Sequence, residues 1–274
     1  MGHSVVFWSP VSGQAGNTSN LAVIAGLLGL EYSARVLLFG HAQSRRAALE
    51  QALLPRKPEE ARGDDIGIDA LARLVRHRKL QPGMIANYTL PLLQHRLDLL
   101  PGSDQPDKAW MPSMKTELQP LLEAAKRGYD LVLIDGGNGT GSGWSRQLLQ
   151  QADVVIVSLN QNRLLLERFF HQQLDSLPNV HRLLVLGQYD AEASQTLKNT
   201  ARTFALREPL YAVPHRAGLM DALQAGQVLD FLFRNRRVPR DHEHHLFMKR
   251  VRELAQAVVA ACHLDKPFFG GKEG

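Results

Sequence analysis

The residues best equipped for chemistry lie in two short segments, Ser12-Gly13-Gln14-Ala15-Gly16-Asn17-Thr18-Ser19 and Asp130-Leu131-Val132-Leu133-Ile134-Asp135. In the first, glycines let backbone N–H groups curl around an anion, and a helix that follows adds the field of its N-terminal dipole. Thr18, on the first helical turn, puts a hydroxyl where a Mg²⁺ ligand sits in a phosphate-binding loop. The same residues also suit a tight strand-to-helix turn capped by Thr18 or Ser19. The second segment is an apolar strand ending in a carboxylate. At the C-terminal edge of a parallel sheet, where ligands bind, Asp135 is placed to hold Mg²⁺ or its water shell beside a phosphate. Asp135 is therefore the candidate catalytic side chain, and Thr18 with Asp135 the candidate Mg²⁺ pair. Gly136, Gly137, Gly139, Gly141 and Gly143 follow, and are expected to form a mobile loop that senses a γ-phosphate.

The charge of the loop is wrong for ordinary phosphoryl transfer. The common spacing G-x-x-x-x-G-K-[ST] is not met, because Val11 stands at the first glycine and Asn17 at the lysine. That lysine brings a positive charge to the β- and γ-phosphates. An asparagine donates a hydrogen bond but neutralises nothing. Nucleotide binding is expected to weaken, and hydrolysis to suffer more, since charge stabilisation is its main tool.

Other reactive residue types read more plainly. Arg234, Arg236, Arg237 and Arg240 form a basic cluster that would suit DNA phosphates or anionic lipid, but with no aromatic or glycine pattern beside it a solvated connection is the better reading. In Asp241-His242-Glu243-His244-His245 adjacent side chains on a helix do not converge, so a polar helix start is expected rather than a metal site. His41, after the second strand, reads as a surface histidine. Phe268-Phe269, near a glycine-rich tail, reads as a docking motif or a frayed end.

The elements that must position the two segments follow from hydrophobic patterning. Ser4 to Trp8 is a β-branched and aromatic run expected to be a buried strand, followed by a loop and a helix from Asn20 to Leu30. Arg35 to Phe39 is the next strand, stopped by Gly40, and completes a βαβ unit. Ala42 to Asp65 reads as a helix and an exposed connection, and Ile68 to Arg76 as an amphipathic helix. Strands are expected at Arg96–Leu100, Leu131–Ile134, Val154–Leu159, Arg182–Leu186 and Leu210–Val213. Helices are expected at Lys115–Arg127, Trp144–Gln151, Leu164–Leu174 and His244–His263. No repeat or linker interrupts them, so residues 1–274 read as one α/β domain with a doubly wound, mostly parallel sheet.

Composition sets the remaining bounds. With 44% hydrophobic and 22% charged residues the chain is of the soluble globular kind, and its +5 net charge permits anionic partners without demanding them. The apolar run Leu21–Leu30 is too short to cross a bilayer, and Met1 to Val6 lacks the basic start of a secretory signal. A single cysteine, Cys262, allows no internal disulfide and suits a reducing cytoplasm.

With these residues in hand, the chain resembles the MinD/ParA family of deviant P-loop ATPases (the SIMIBI class). That family's loop runs K-G-G-x-G-K-[ST]-[ST]. Gly13, Gly16, Thr18 and Ser19 match it, while Ser12 replaces the signature lysine, Gln14 the second glycine and Asn17 the Walker lysine. Tyr129 to Gly137 is similar to the family's acidic strand and switch loop, Leu97 to Ser103 to its mid-domain strand and turn, and Val213-Pro214 with Ala225-Gly226 to its C-terminal segment. Leu186-Gly187-Gln188-Tyr189-Asp190 falls at the base-binding loop. The resemblance implies ATP and Mg²⁺, with Gly13 to Ser19 on the phosphates and Gln188 at the nucleobase. It also implies a face-to-face homodimer, in which the signature lysine reaches across to the partner's phosphates. Ser12 cannot do this, so a dimer of this chain would rest on surface packing. The switch aspartate expected after the second strand is absent, since Phe39 leads into Gly40-His41-Ala42.

Loss of both lysines and that aspartate resembles the TadZ/CpaE branch, whose members help place Flp/Tad-type pilus machinery. This implies a degenerate, pseudo-ATPase positioning or scaffold factor for pilus or secretion proteins. It would be cytoplasmic, and peripheral at the inner face of the membrane through its partners, with nucleic acid not expected as a ligand. The alternatives are an active ATPase in which Arg146 or a partner's arginine replaces the lysine, and a DNA-binding partition factor. The apolar stripe of the last helix could meet a membrane, as in MinD, or complete the outer layer of the fold; the second is expected.

Overall fold

The computed structural model describes residues 1–40, 48–55, 66–103, 107–139, 141 and 143–267. Eight strands form one sheet: β1 (His3–Ser9), β2 (Val36–Phe39), β3 (Leu90–Leu93), β4 (Leu97–Leu100), β5 (Leu131–Asn138), β6 (Val154–Leu159), β7 (His181–Tyr189) and β8 (Leu210–Pro214). Their order across the sheet is β3-β4-β2-β5-β1-β6-β7-β8. Every neighbouring pair is parallel except β3 with β4. The doubly wound, mostly parallel α/β expectation holds. β3 is the addition: Leu90-Pro91-Leu92-Leu93 carries a proline, which an edge strand tolerates and a central one does not.

The central strands are apolar on both faces because helices cover both. Val5 and Phe7 of β1 point into one core, with Leu21, Ile24 and Leu28 of α1 (Asn17–Glu31) and Phe247, Val251, Leu254 and Val258 of the last helix. Val6 and Trp8 point the other way, against Leu118 and Leu121 of a helix at Asp107–Gly128 and Trp144 and Leu148 of one at Gly143–Gln151. Each is wholly or almost wholly buried, and burial of this kind is worth about 1.5–3 kcal/mol per large aliphatic or aromatic side chain.

In chain order the helices are α1, α2 (Ala48–Leu53), α3 (Ile68–Arg76), α4 (Asp107–Gly128), α5 (Gly143–Gln151), α6 (Arg163–Arg168), α7 (Leu197–Thr203), α8 (Ala217–Ala225), α9 (Val228–Asn235) and α10 (His245–Ala261). Three helices depart from the sequence expectation. α1 begins at Asn17, three residues early, because Gly16 in the left-handed region (φ 61°) turns the chain straight from loop into helix. α4 begins at Asp107 rather than Lys115, although Pro112 argues locally against helix. The helix expected at Leu164–Leu174 ends at Arg168 and runs on as a wider turn, Phe169–Gln173, and a tighter one, Leu174–Ser176. The sequence reading passed over α7, α8 and α9, which are seven, nine and eight residues long.

The apolar stripe of α10 is core: Phe247, Met248, Val251, Leu254, Ala255 and Val258 are buried. On its polar side Arg252 forks onto the carboxylate of Glu31, at 2.7 and 2.9 Å, and Glu31 is 1% exposed. Among the described residues no helix is long and apolar enough to cross a membrane. His41, Phe268 and Phe269 lie outside the described residues.

Candidate functional site

The strand order places β1 between β5 and β6, so connections leave the sheet in opposite directions on either side of it. That is the topological switch point, where doubly wound sheets bind ligands beyond the carboxyl ends of their strands. The loop from Pro10 to Gly16 lies there and feeds α1. Gly13 (φ 71°) and Gly16 (φ 61°) both take the left-handed conformation. Ser12, Gly13 and Gln14 are exposed and Ala15 is buried. No side chain caps α1, and its first turn carries no acidic residue. Its leading amides are thus open to an anion.

The loop is held from behind. Asn20 Nδ2 donates to Ala15 O and to Ser158 Oγ, each at 3.2 Å, and Asn160 Nδ2 donates to Gln14 O at 3.4 Å. Gly187 presses so closely that a Cβ there would fall 2.0 Å from Ala15 O. None of Asn20, Asn160 or Gly187 was singled out by sequence, because their partners lie on β6 and the loop itself.

Asp135 sits beside Phe7 in the β1–β5 register and is 7% exposed. Three donors converge on its carboxylate: Thr18 Oγ1 at 2.5 Å from Oδ2, and Asn17 Nδ2 and the Gly137 amide at 3.0 and 2.9 Å from Oδ1. The second hydrogen of the Asn17 amide goes to Phe7 O at 3.0 Å. Asn17 is consequently turned back into the fold, with both N–H groups spent on Phe7 of β1 and Asp135 of β5. Its Oδ1 is buried and has no hydrogen-bond partner.

The first glycines after Asp135 are strand rather than the loop expected. Gly136 and Gly137 belong to β5, which continues to Asn138. Gly139 donates to Ser9 O at 2.8 Å and accepts from Trp8 Nε1 at 2.8 Å, while Ser145 Oγ donates to Gly136 O at 2.7 Å. Contacts with the end of β1 hold the stretch as far as Gly139. A glycine count could not reveal it.

Of the predicted site residues, the structure brings together Asn17, Thr18 and Asp135, with Gly16 and Ser19 flanking. Gln188, the residue before the last of β7, lies in the left-handed region (φ 51°). Its Nε2 lies against Gly16, 3.1 Å from where a Cβ would be, and its Oε1 lies 2.8 Å from Nδ1 of His215, beyond the end of β8. Gln188 therefore touches the loop that carries Gly13 to Ser19. His215 was missed, although it directly follows the Val213-Pro214 pair. Arg146 is an exposed residue of α5, and Arg234, Arg237 and Arg240 are exposed as well. Arg236 stacks its guanidinium 4.0 Å over the exposed Phe233 ring, so an aromatic does accompany that cluster. Among the described residues no group of three or more His, Cys, Asp or Glu is placed to hold a metal. His244 instead packs on Phe231 at 5.1 Å, and burial pushes its imidazole below the usual histidine range.

The donor set fits a nucleotide in part. Left-handed glycines and an uncapped helix suit a diphosphate, and the Thr18–Asp135 pair suits one divalent cation. Charge is the mismatch, because no Lys, Arg or His lies between Ser9 and Ser19.

No protein-family model and no curated protein sequence matches the chain. Solved structures do match over nearly the whole length. The ParA family ATPase from Chlorobium tepidum TLS is 15% identical with a TM-score of 0.68, covering 93% of this chain and 98% of its own. The septum site-determining protein MinD complexed with Mg-ADP, from Pyrococcus horikoshii OT3, is 17% identical with a TM-score of 0.63, over 96% and 100% of the two chains. The MinC:MinD cell division protein complex of Aquifex aeolicus gives 16% identity and a TM-score of 0.65, over 94% and 96%. The eight-stranded, mostly parallel sheet with its flanking helices is the α/β fold of the MinD/ParA P-loop NTPases.

Proposed function

We propose that this chain is a nucleotide-binding positioning protein of the MinD/ParA kind whose loop has lost the charge needed for turnover. It would act as a scaffold for pilus (Flp/Tad-type) or secretion machinery. The observation that carries the reading is the Asn17 side chain. Both its donors are committed to Phe7 O and Asp135, so nothing at the lysine position faces the phosphates. Gly13 to Ser19 would cradle a di- or triphosphate through backbone amides, and Thr18 with Asp135 would hold Mg²⁺, which would bridge and partly neutralise the phosphate oxygens. Neither residue supplies a cation to the transferring group, so hydrolysis lacks its main stabilising term.

A homodimer and a partner protein are part of this proposal, and the MinC:MinD complex is a precedent on the same fold. Membrane contact would come through partners, because the apolar face of α10 is spent on the core.

Titration calorimetry with ATP, with and without Mg²⁺, on the native chain and on Asp135→Ala tests the site. Weak binding with no turnover above buffer is expected. Robust Mg²⁺-dependent hydrolysis abolished by Asp135→Ala rejects the reading. Affinity purification from the native host tests the scaffold role, and recovery without pilus or secretion components rejects that part alone.

A further inference from the structure

At the lysine position the Asn17 amide is turned inward, yet a side-chain amide reaches the loop from another strand. We propose that Gln188 supplies the missing donor to a phosphate held by the loop, and that His215 is the positioning residue that aims it. This rests on the nucleotide-binding reading above and assigns Gln188 to the phosphates rather than to the nucleobase.

Three observations meet here. Gln188 keeps a left-handed backbone (φ 51°), a conformation that costs a non-glycine residue energy and persists where the surroundings enforce it. That backbone places its side chain over Gly16, with Nε2 3.1 Å from the position a Cβ would occupy. A Cβ at residue 16 would crowd the amide slightly, and the left-handed φ of 61° already favours glycine there. The other end of the amide, Oε1, lies 2.8 Å from His215 Nδ1. An oxygen at that distance calls for a proton on Nδ1, and that proton fixes the carboxamide with its NH₂ toward the loop. Without it the amide can turn over and present oxygen to Gly16, which opposes an anion.

The backbone of His215 is held on both sides. Its backbone amide donates to Tyr189 O at 2.9 Å, and Arg216 Nη1 donates to its carbonyl at 3.2 Å. The ends of β7 and β8 thereby deliver to the loop one neutral, oriented N–H donor. A hydrogen bond of this kind to a charged acceptor corresponds to about a tenfold or greater change in affinity. It adds no charge, so it restores binding without restoring turnover.

Inorganic pyrophosphate, ADP and ATP are the probes, titrated into the full chain by calorimetry. Binding is followed in parallel through the ¹⁵N–¹H resonances of the Gln188 carboxamide. Gln188→Gly removes the side chain and suits the left-handed backbone, so a loss cannot be laid to strain. It is expected to weaken all three probes about tenfold. Gln188→Glu is expected to weaken them further. His215→Phe should produce a loss like that of Gln188→Gly, add nothing to it in the double variant, and abolish the ligand-induced shift of the Gln188 amide. If the native chain binds and these variants bind equally well, the proposal fails while the nucleotide reading stands. If pyrophosphate binding is unaffected and only ADP and ATP weaken, Gln188 serves the nucleoside and the proposal is overturned. If the native chain binds none of the probes at millimolar concentration, both readings fall together.

Discussion

Asn17 Nδ2 lies 3.0 Å from Asp135 Oδ1, and this bond ties the first turn of α1 to β5. Where a lysine would extend toward a ligand, the shorter amide reaches backward and bridges two adjacent strands through Asp135 and Phe7 O. One substitution thus changes the role of the position from charging a phosphate to bracing the sheet edge.

Replacing Asn17 with alanine leaves Phe7 O and one oxygen of Asp135 without this donor. Folding stability is expected to fall by about 1–3 kcal/mol, read from urea denaturation midpoints. An unchanged midpoint would mean the bridge is incidental.

Asn17→Lys brings back a cation of the length that can reach a phosphate. ATP affinity in the presence of Mg²⁺ should rise at least tenfold by calorimetry, with stability slightly reduced because Phe7 O loses a fixed donor. Equal affinity for the native chain and the variant would show that charge is not what the loop lacks.

Gly187→Ala places a Cβ 2.0 Å from Ala15 O, a contact that only backbone movement can relieve. A cost of about 1–3 kcal/mol in thermal or chemical denaturation is expected. Any nucleotide binding should be lost with it, because the loop is displaced.

Arg252→Met strands the Glu31 carboxylate, which is 1% exposed and receives both arms of the guanidinium. The loss should be on the order of 3 kcal/mol, and Glu31→Leu in the same chain should recover most of it, since an apolar pair carries no desolvation cost. A double variant as unstable as the single one would contradict this account.

Glu117 gives a pH signature. Its carboxylate is 2% exposed and, mainly through burial, titrates above the usual glutamate range despite Arg76 Nε at 2.8 Å. The folded chain therefore takes up this proton at a higher pH than the unfolded chain does. Its contribution to stability is least above the folded value and improves as pH falls through it toward the unfolded one. Glu117→Gln should accordingly raise the melting temperature at pH 8, with the gain shrinking toward pH 4.

The sequence by itself determined the strands that are continuous apolar runs. Val154–Leu159 is found within those bounds, and Leu131–Ile134 forms the buried start of β5. It also determined Ile68–Arg76 as a helix, from the spacing of Ile68, Leu71 and Leu74. These are local matters, since a period and a turn residue act within a few positions of the chain. The same holds for the glycine loop and for Asp135 closing an apolar run, which is why the candidate site was legible as a set of residue types.

Only the tertiary structure decided what those residues do to one another. Asn17 and Asp135 are 118 positions apart, and their bond exists because β1 and β5 pair with Phe7 beside Asp135. Gln188 meets Gly16 only because β7 ends alongside the loop, and His215 joins it only because β8 pairs with β7. Gly139 is held by the Ser9 carbonyl and the Trp8 indole, contacts that no local rule encodes. A hydrogen bond of about 3 Å depends on strand register and helix entry angle together, and a single sequence specifies these only through the packing of the whole core.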